Sequence, residues 1–148
     1  MQVHKDFLEF LQLLNAHAVE FLVVGGYAVA FHGAPRFTGD IDLLVNPLPG
    51  QAEGVLCALE EFGFPVAGLN VSSILNEGQI LQLGRQPYQI HIMTAISGIS
   101  WPEAWSSRVP GTYGACPVMF LGKDALILNK RAARRTKDLA DVEALEDV

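Results

Sequence analysis

The sequence predicts a mixed α/β domain with a helical C-terminal end. Three observations carry that expectation. Short apolar runs, EFLVVGG and DIDLLV, are bounded by turn residues and read as buried strands. Segments with apolar residues at helical spacing lie between and after them. Half of the 148 residues are apolar, so a continuous core forms without staples.

Taken in order, residues 3–15 predict an amphipathic helix, with Val3, Phe7, Phe10, Leu11 and Leu14 on one side and Lys5, Asp6, Glu9 and Gln12 on the other. EFLVV predicts a strand that ends at the turn Gly25–Gly26, and Tyr27 to Phe31 a short helix. Residues 40–45 predict a second buried strand, ended by Asn46, Pro47, Pro49 and Gly50. Residues 51–62 return to helical spacing through Val55, Leu56, Leu59 and Phe62, with Gly63 as C-terminal cap.

Residues 64–78, full of Gly, Asn and Ser, read as strand fragments and loop. Ile80–Leu83 and Tyr88–Met93 form a strand pair joined by the turn Gly84–Pro87. Trp101–Trp105 reads as a short helix and Cys116–Leu121 as a last strand. Residues 123–134 and 137–146 are two helices or one bent helix, with Thr136 as N-cap. There is no internal repeat and no linker, so residues 1–148 read as a single domain.

The N-terminus MQVHKDFLEF lacks the layout of a signal peptide, and no apolar run reaches the roughly 18 residues of a membrane span, which predicts a soluble, cytoplasmic protein. Cys57 and Cys116 lie far apart in apolar surroundings and read as buried thiols rather than a disulfide or zinc site. Net charge is -6, against broad nucleic-acid binding. Residues 1–122 hold four Lys/Arg against ten Asp/Glu, whereas residues 123–148 hold six of each. There Lys130, Arg131, Arg134, Arg135 and Lys137 form a run without an acid, the size of a local anion site. On one continuous helix Lys130, Arg134 and Lys137 share a face. The alternative is a solvated face balanced by Asp138 and Asp141.

Asp40 and Asp42 stand two apart in a strand, so they project to one side. Paired carboxylates repel and raise each other's proton affinity unless a cation lies between them. Mg²⁺ is a natural occupant, since it takes oxygen ligands and shares them with substrate phosphates. Asp-x-Asp alone reads equally as a strand end with two solvated acids. The upstream glycines, Gly25 and Gly26, follow a strand and precede a helix, where backbone N–H groups can hold an anion.

The whole stretch VVGGYAVAFHGAPRFTGDIDLLV resembles the nucleotidyltransferase signature of the DNA polymerase beta superfamily. With the ending NKRAARRTKDLADVEAL it is similar to the minimal and AbiEii-like nucleotidyltransferases, several of which are toxins of toxin–antitoxin pairs. The resemblance runs from Glu20 to Leu145 and is weakest over residues 64–79. It implies a mixed-sheet, polymerase beta-like fold and a metal-dependent enzyme. A nucleoside monophosphate would pass from a nucleoside triphosphate to an acceptor hydroxyl on a tRNA end, a protein or a small molecule.

It further implies that Gly25 and Gly26 cradle phosphate and that Asp40 and Asp42 hold Mg²⁺ or Mn²⁺. Arg36 and Thr38 precede the carboxylates as in the family; Arg36 then contacts phosphate or pairs with Asp40. Lys130, Lys137, Asp138 and Asp141 match a basic and acidic element of the related toxins. Such a toxin has a cognate protein partner. His32 reads as structural, bonded to the turn.

One position departs from the pattern. The third carboxylate is expected in a segment that here reads QIHIMT, so His91 stands in its place, with Gln89 and Met93 on the same side. Glu77 is the nearest upstream acid, in a glycine-flanked setting unlike a strand. Imidazole has an unperturbed pKa of about 6.5 and serves as a base near neutrality, or binds Mn²⁺ better than Mg²⁺. Three readings follow: an enzyme using His91 as base or Mn²⁺ ligand, an enzyme with one firmly held metal, or an impaired nucleotide- or partner-binding module. A structural domain with a relic acidic pair is a further reading. Trp101, Trp105 and Tyr113 read as aromatics buried beside a short helix, with a partner-facing surface as the alternative.

Overall fold

Phe21–Val24 forms strand β1 because all four side chains are apolar and both faces of the strand are covered. In the computed structural model, which describes residues 3–76 and 78–148, β1 lies inside a six-stranded mixed sheet. Its neighbours are β2, Ile41–Val45, which runs antiparallel to it, and β6, Cys116–Phe120, which runs parallel. Two hairpins complete the sheet. β3, Leu81–Arg85, pairs with β4, Tyr88–Met93, and β5, Val109–Tyr113, pairs with β6. The order across the sheet is β3-β4-β2-β1-β6-β5.

Seven helices cover this sheet among the described residues. α1, Lys5–Ala16, buries Phe7, Phe10, Leu11 and Leu14, four of the five residues that the helical spacing singles out. Full burial of such side chains contributes about 1.5–3 kcal/mol each. Val3 precedes the helix and is exposed. α3, Pro49–Phe62, starts with proline in its first turn and stops at Gly63 in the left-handed region, φ 93°. Phe62 meets Phe10 edge-on at 5.3 Å, which locks α3 to α1. No helix is long and apolar enough to cross a membrane.

Five expectations from the sequence are corrected. Residues 64–78 hold no strand among those described. They carry α4, Val71–Leu75, started by a reciprocal cap between Asn70 and Ser73. β5 was not expected, because Pro110 and Gly111 mask it; as the edge strand of the sheet it tolerates a missing N–H. The C-terminal segment is two helices, α6, Lys123–Ala133, and α7, Thr136–Glu146. Arg134 turns left-handed between them, φ 60°, so Lys130, Arg134 and Lys137 share no continuous helix face. The cap of α7 is Arg135, reciprocally bonded to Asp138, and Thr136 is already helical. Cys57 is exposed on α3, while Cys116 is buried and its thiol is pushed up by that burial.

The expected aromatic packing is present in part. Tyr113 is buried, and Trp101 and Trp105 of α5, Trp101–Ser106, stack at 5.2 Å against the core. His32, which caps α2, Gly25–Phe31, is structural, but its Nε2 lies 2.7 Å from the Leu121 carbonyl beyond β6 rather than on the glycine turn.

Candidate active site

The sheet register decides which side chains meet. β1 ends where β2 begins, beside the middle of β4, and Val24, Asp42 and His91 sit side by side on three adjacent strands. Along β4, Ile90 and Ile92 point into the core, so Gln89, His91 and Met93 point to the other face. That face opens into a cleft of about 760 Å³, whose walls include Asp40, Asp42 and His91.

Asp42 is held on both sides. Its Oδ1 lies 2.9 Å from His91 Nδ1. Its Oδ2 occupies the space where a side chain on residue 25 would begin, since a Cβ there would come within 2.1 Å of it. Gly25 also has φ +66°, so both its conformation and its neighbour demand glycine. Gly26 likewise leaves room for Thr38 and Arg36, at 2.6 Å and 3.0 Å from a built Cβ. The two glycines therefore line the cleft, but the room at their α-carbons is used by the site's own side chains. They also form the first turn of α2 rather than a separate turn before it.

Burial pushes the Asp42 carboxyl up, and the negative charge of Asp40 adds to this; His91 and Lys130 pull it back. Asp40 lies one residue before β2. The backbone N–H of Gln89 donates to its Oδ1 at 2.9 Å. Thr38 Oγ1 donates to the Asp40 carbonyl at 3.2 Å. His91 spans the pair, with Nδ1 on Asp42 and Nε2 3.8 Å from Asp40 Oδ2. Its Nε2 also lies 3.1 Å from Gln89 Oε1. The residue in the place of the third acid is thus hydrogen-bonded to Asp42 and near Asp40 without a hydrogen bond to it.

The cleft is also lined by basic residues. Lys130, Arg135 and Lys137 line the cleft. Lys130 is buried to 4 % exposure, with Nζ 3.3 Å from Asp138 Oδ1 and 3.1 Å from Asp141 Oδ2. The second contact is an ion pair without hydrogen-bond alignment. Burial alone pushes the Asp138 carboxyl up, but hydrogen bonds from Arg135, at 2.6 Å and 3.2 Å, and from Lys130 outweigh it and hold it below the ordinary range. Arg36 pairs with Asp141 at 3.4 Å rather than with Asp40. Asp141 is therefore behind the cleft wall, holding Arg36 and Lys130 in place, and does not line the cleft itself. Arg131 points away, to Glu146 at 2.7 Å.

Gln89 and Arg135 were not singled out as site residues from the sequence. Gln89 is two residues from His91 on one strand face, a spacing that carries the signal. Arg135 belongs to the basic run read as a local anion site, but its own place in the cleft depends on the break at Arg134. Glu77 lies outside the described residues. Among those described, no group of three or more His, Cys, Asp and Glu side chains forms a closed metal cage. Two carboxylates on the wall of a wide cleft do fit a hard cation that completes its shell with phosphate and water oxygens.

A solved structure with this architecture settles the fold. The crystal structure of the lincosamide antibiotic adenylyltransferase LnuA, bound to lincomycin, superposes with a TM-score of 0.59 over 99 % of this chain and 98 % of that one. The chain has a nucleotidyltransferase fold. Sequence identity to LnuA is 14 %, so the likeness reaches the fold alone. No protein-family profile matches the chain, and no curated protein does.

Proposed function

We propose that the chain is a metal-dependent nucleotidyltransferase, moving a nucleoside monophosphate from a nucleoside triphosphate to an acceptor hydroxyl. The observation that carries this reading is that the Asp40–Asp42 pair and Lys130, Arg135 and Lys137 line one and the same cleft. Acids to hold a cation and bases to hold phosphate oxygens are the two halves of a phosphoryl-transfer site. Asp40 and Asp42 would hold Mg²⁺ or Mn²⁺, which when bound offsets phosphate charge and polarises the α-phosphate.

The residues have these roles. Lys137, Arg135 and Lys130 hold the polyphosphate, with Gly25, Gly26, Arg36 and Thr38 shaping the wall beneath it. Asp141 and Asp138 position Lys130, Arg36 and Arg135. The acceptor oxygen bonds to the α-phosphorus while the bond from that phosphorus to the bridging oxygen breaks, and pyrophosphate departs. The acceptor's proton passes to His91 Nε2, while Asp42 Oδ1 accepts from Nδ1–H and orients the ring.

The neighbour's name describes adenylyl transfer to a lincosamide antibiotic, which supports a small-molecule acceptor. The ending NKRAARRTKDLADVEAL supports an AbiEii-like, toxin-type enzyme with a cognate protein partner. A second reading, a nucleotide-binding module without turnover, is favoured by His91 in the place of an acid.

The test offers each of the four α-labelled triphosphates, with Mg²⁺ or Mn²⁺, to small-molecule and RNA fractions of a cell extract. Wild type should transfer label to one fraction and Asp42→Asn should not. Label transfer undiminished in Asp42→Asn would end the proposal, and triphosphate binding without any transfer would select the module.

A further inference from the structure

A second cavity, of about 470 Å³, lies on the far side of the segment that carries Arg36, Phe37 and Thr38. Those three residues line both cavities, so one thin wall separates them. The second cavity is otherwise dominated by rings: His4, Tyr27 and Tyr88, with Phe37 at the shared rim. We propose that it is the acceptor pocket, and that its occupant is an uncharged small molecule carrying a planar ring and a free hydroxyl. The assignment rests on the transfer reading above.

Shape and composition argue for the ring. Tyr27 is fixed by edge contacts with Phe7 at 6.2 Å and Tyr113 at 5.6 Å, and His4 lies 4.9 Å from Tyr88 at an angle of 35°. Phe37 is 81 % exposed and Tyr88 44 %, so two large apolar faces stand uncovered at one mouth. Exposed apolar surface gathered at a cavity marks a binding site, and aromatic walls favour a flat guest. The volume lies within the usual range of about 300–1,000 Å³ for small-molecule pockets.

Charge argues for a neutral occupant. Among the described residues no Asp, Glu or Lys lines the cavity. Its one guanidinium, Arg36, is already engaged by Asp141. A nucleic-acid strand would need cations along its phosphates, and among the described residues this mouth offers none that is free. Position argues for an acceptor. Arg36, Phe37 and Thr38 line both cavities, and Asp40 and Asp42 line the first, so a hydroxyl carried over that wall enters the cleft that holds the carboxylates.

The experiment measures saturation transfer from the protein to phenyl β-D-glucopyranoside, tyrosol and 2-phenylethanol, with D-glucose as the ringless control. No metal or nucleotide is present in the first arm. The ring-bearing probes should bind wild type and glucose should not. Tyr88→Ala should weaken binding about three- to tenfold, the worth of one aromatic contact. Ala30→Leu, which fills the cavity wall, should weaken it too. Circular dichroism checks that Ala30→Leu folds; Tyr88, being partly exposed, gives a second variant that does not depend on the core. In the second arm, α,β-methylene-ATP with Mg²⁺ should bind wild type and both variants equally and alongside the probes.

If the analogue binds and no ring probe does, the pocket assignment fails alone. If the probes bind and the analogue does not, the transfer reading fails and takes the acceptor role with it. Unchanged probe binding in Tyr88→Ala, or competition between probe and analogue, would also overturn the proposal. So would displacement of the probes by a hexacytidylate RNA, which would make the acceptor a nucleic-acid end.

Discussion

Replacing Lys130 with Met removes one buried cation from between two buried carboxylates and keeps the side-chain volume. Lys130, Asp138 and Asp141 have side-chain exposures of 6 %, 0 % and 6 %, so solvent and salt screen the cluster little. Breaking one partner of a buried ion pair costs about 3–5 kcal/mol. Here each acid keeps an arginine, Asp138 through Arg135 and Asp141 through Arg36, and both arginines are partly exposed. The expected loss is therefore at the lower end, about 3 kcal/mol. For a chain of this length that is a fall of roughly 6–12 °C in Tm.

The loss should depend on pH with a definite sign. The folded-state pKa of Asp138 is held low, so its contribution is present above the unfolded value of about 3.9 and is lost as pH falls through the folded value. Without Lys130 one lowering influence goes and burial remains, so the variant loses less on acidification. The gap between wild type and Lys130→Met should narrow as the pH falls below about 4. Urea unfolding at neutral and acid pH measures both effects. A loss under about 1 kcal/mol, the range of a surface ion pair, with no narrowing in acid would refute the buried-cluster reasoning.

Further outcomes can be checked alongside. Gly25→Ala should cost at least about 1–2 kcal/mol from its left-handed backbone alone, and the built Cβ should displace Asp42; stability close to wild type with intact metal binding would contradict this. Thiol titration of native protein should find Cys57 reactive and Cys116 protected until denaturant is added; two fast thiols would be the wrong result. His91→Asp should raise Mg²⁺-dependent transfer relative to wild type, because it adds an oxygen ligand next to Asp42. No gain with any acceptor, with metal binding intact, would favour the module over the enzyme.

Much of this site was legible in the sequence because its central parts are local. Asp40 and Asp42 are two residues apart, and Gly25 and Gly26 are read from one strand-to-helix junction. His91 was placed by the alternation of β4, and the register delivers it beside Asp42. The reason for the glycines was only half legible. Their room is taken by Asp42, Thr38 and Arg36, and those contacts exist only once β1 and β2 pair. The basic strip was misread as one helix face because nothing in ARRTKD announces a left-handed arginine. Arg36 finding Asp141, more than a hundred residues away, is long-range packing that local spacing does not encode. The edge strand β5 was hidden by Pro110 and Gly111, which are tolerated there because the outer side of the strand is unpaired.

Calorimetric titration of α,β-methylene-ATP into wild type and into Asp40→Asn/Asp42→Asn, each with Mg²⁺, with Mn²⁺ and with chelator, addresses the carboxylate pair directly. Wild type should bind at least about tenfold more tightly with metal than with chelator, a difference of about 1.4 kcal/mol, and the double variant should show no metal effect. Equal, metal-enhanced binding by both proteins would mean that Asp40 and Asp42 do not hold the cation.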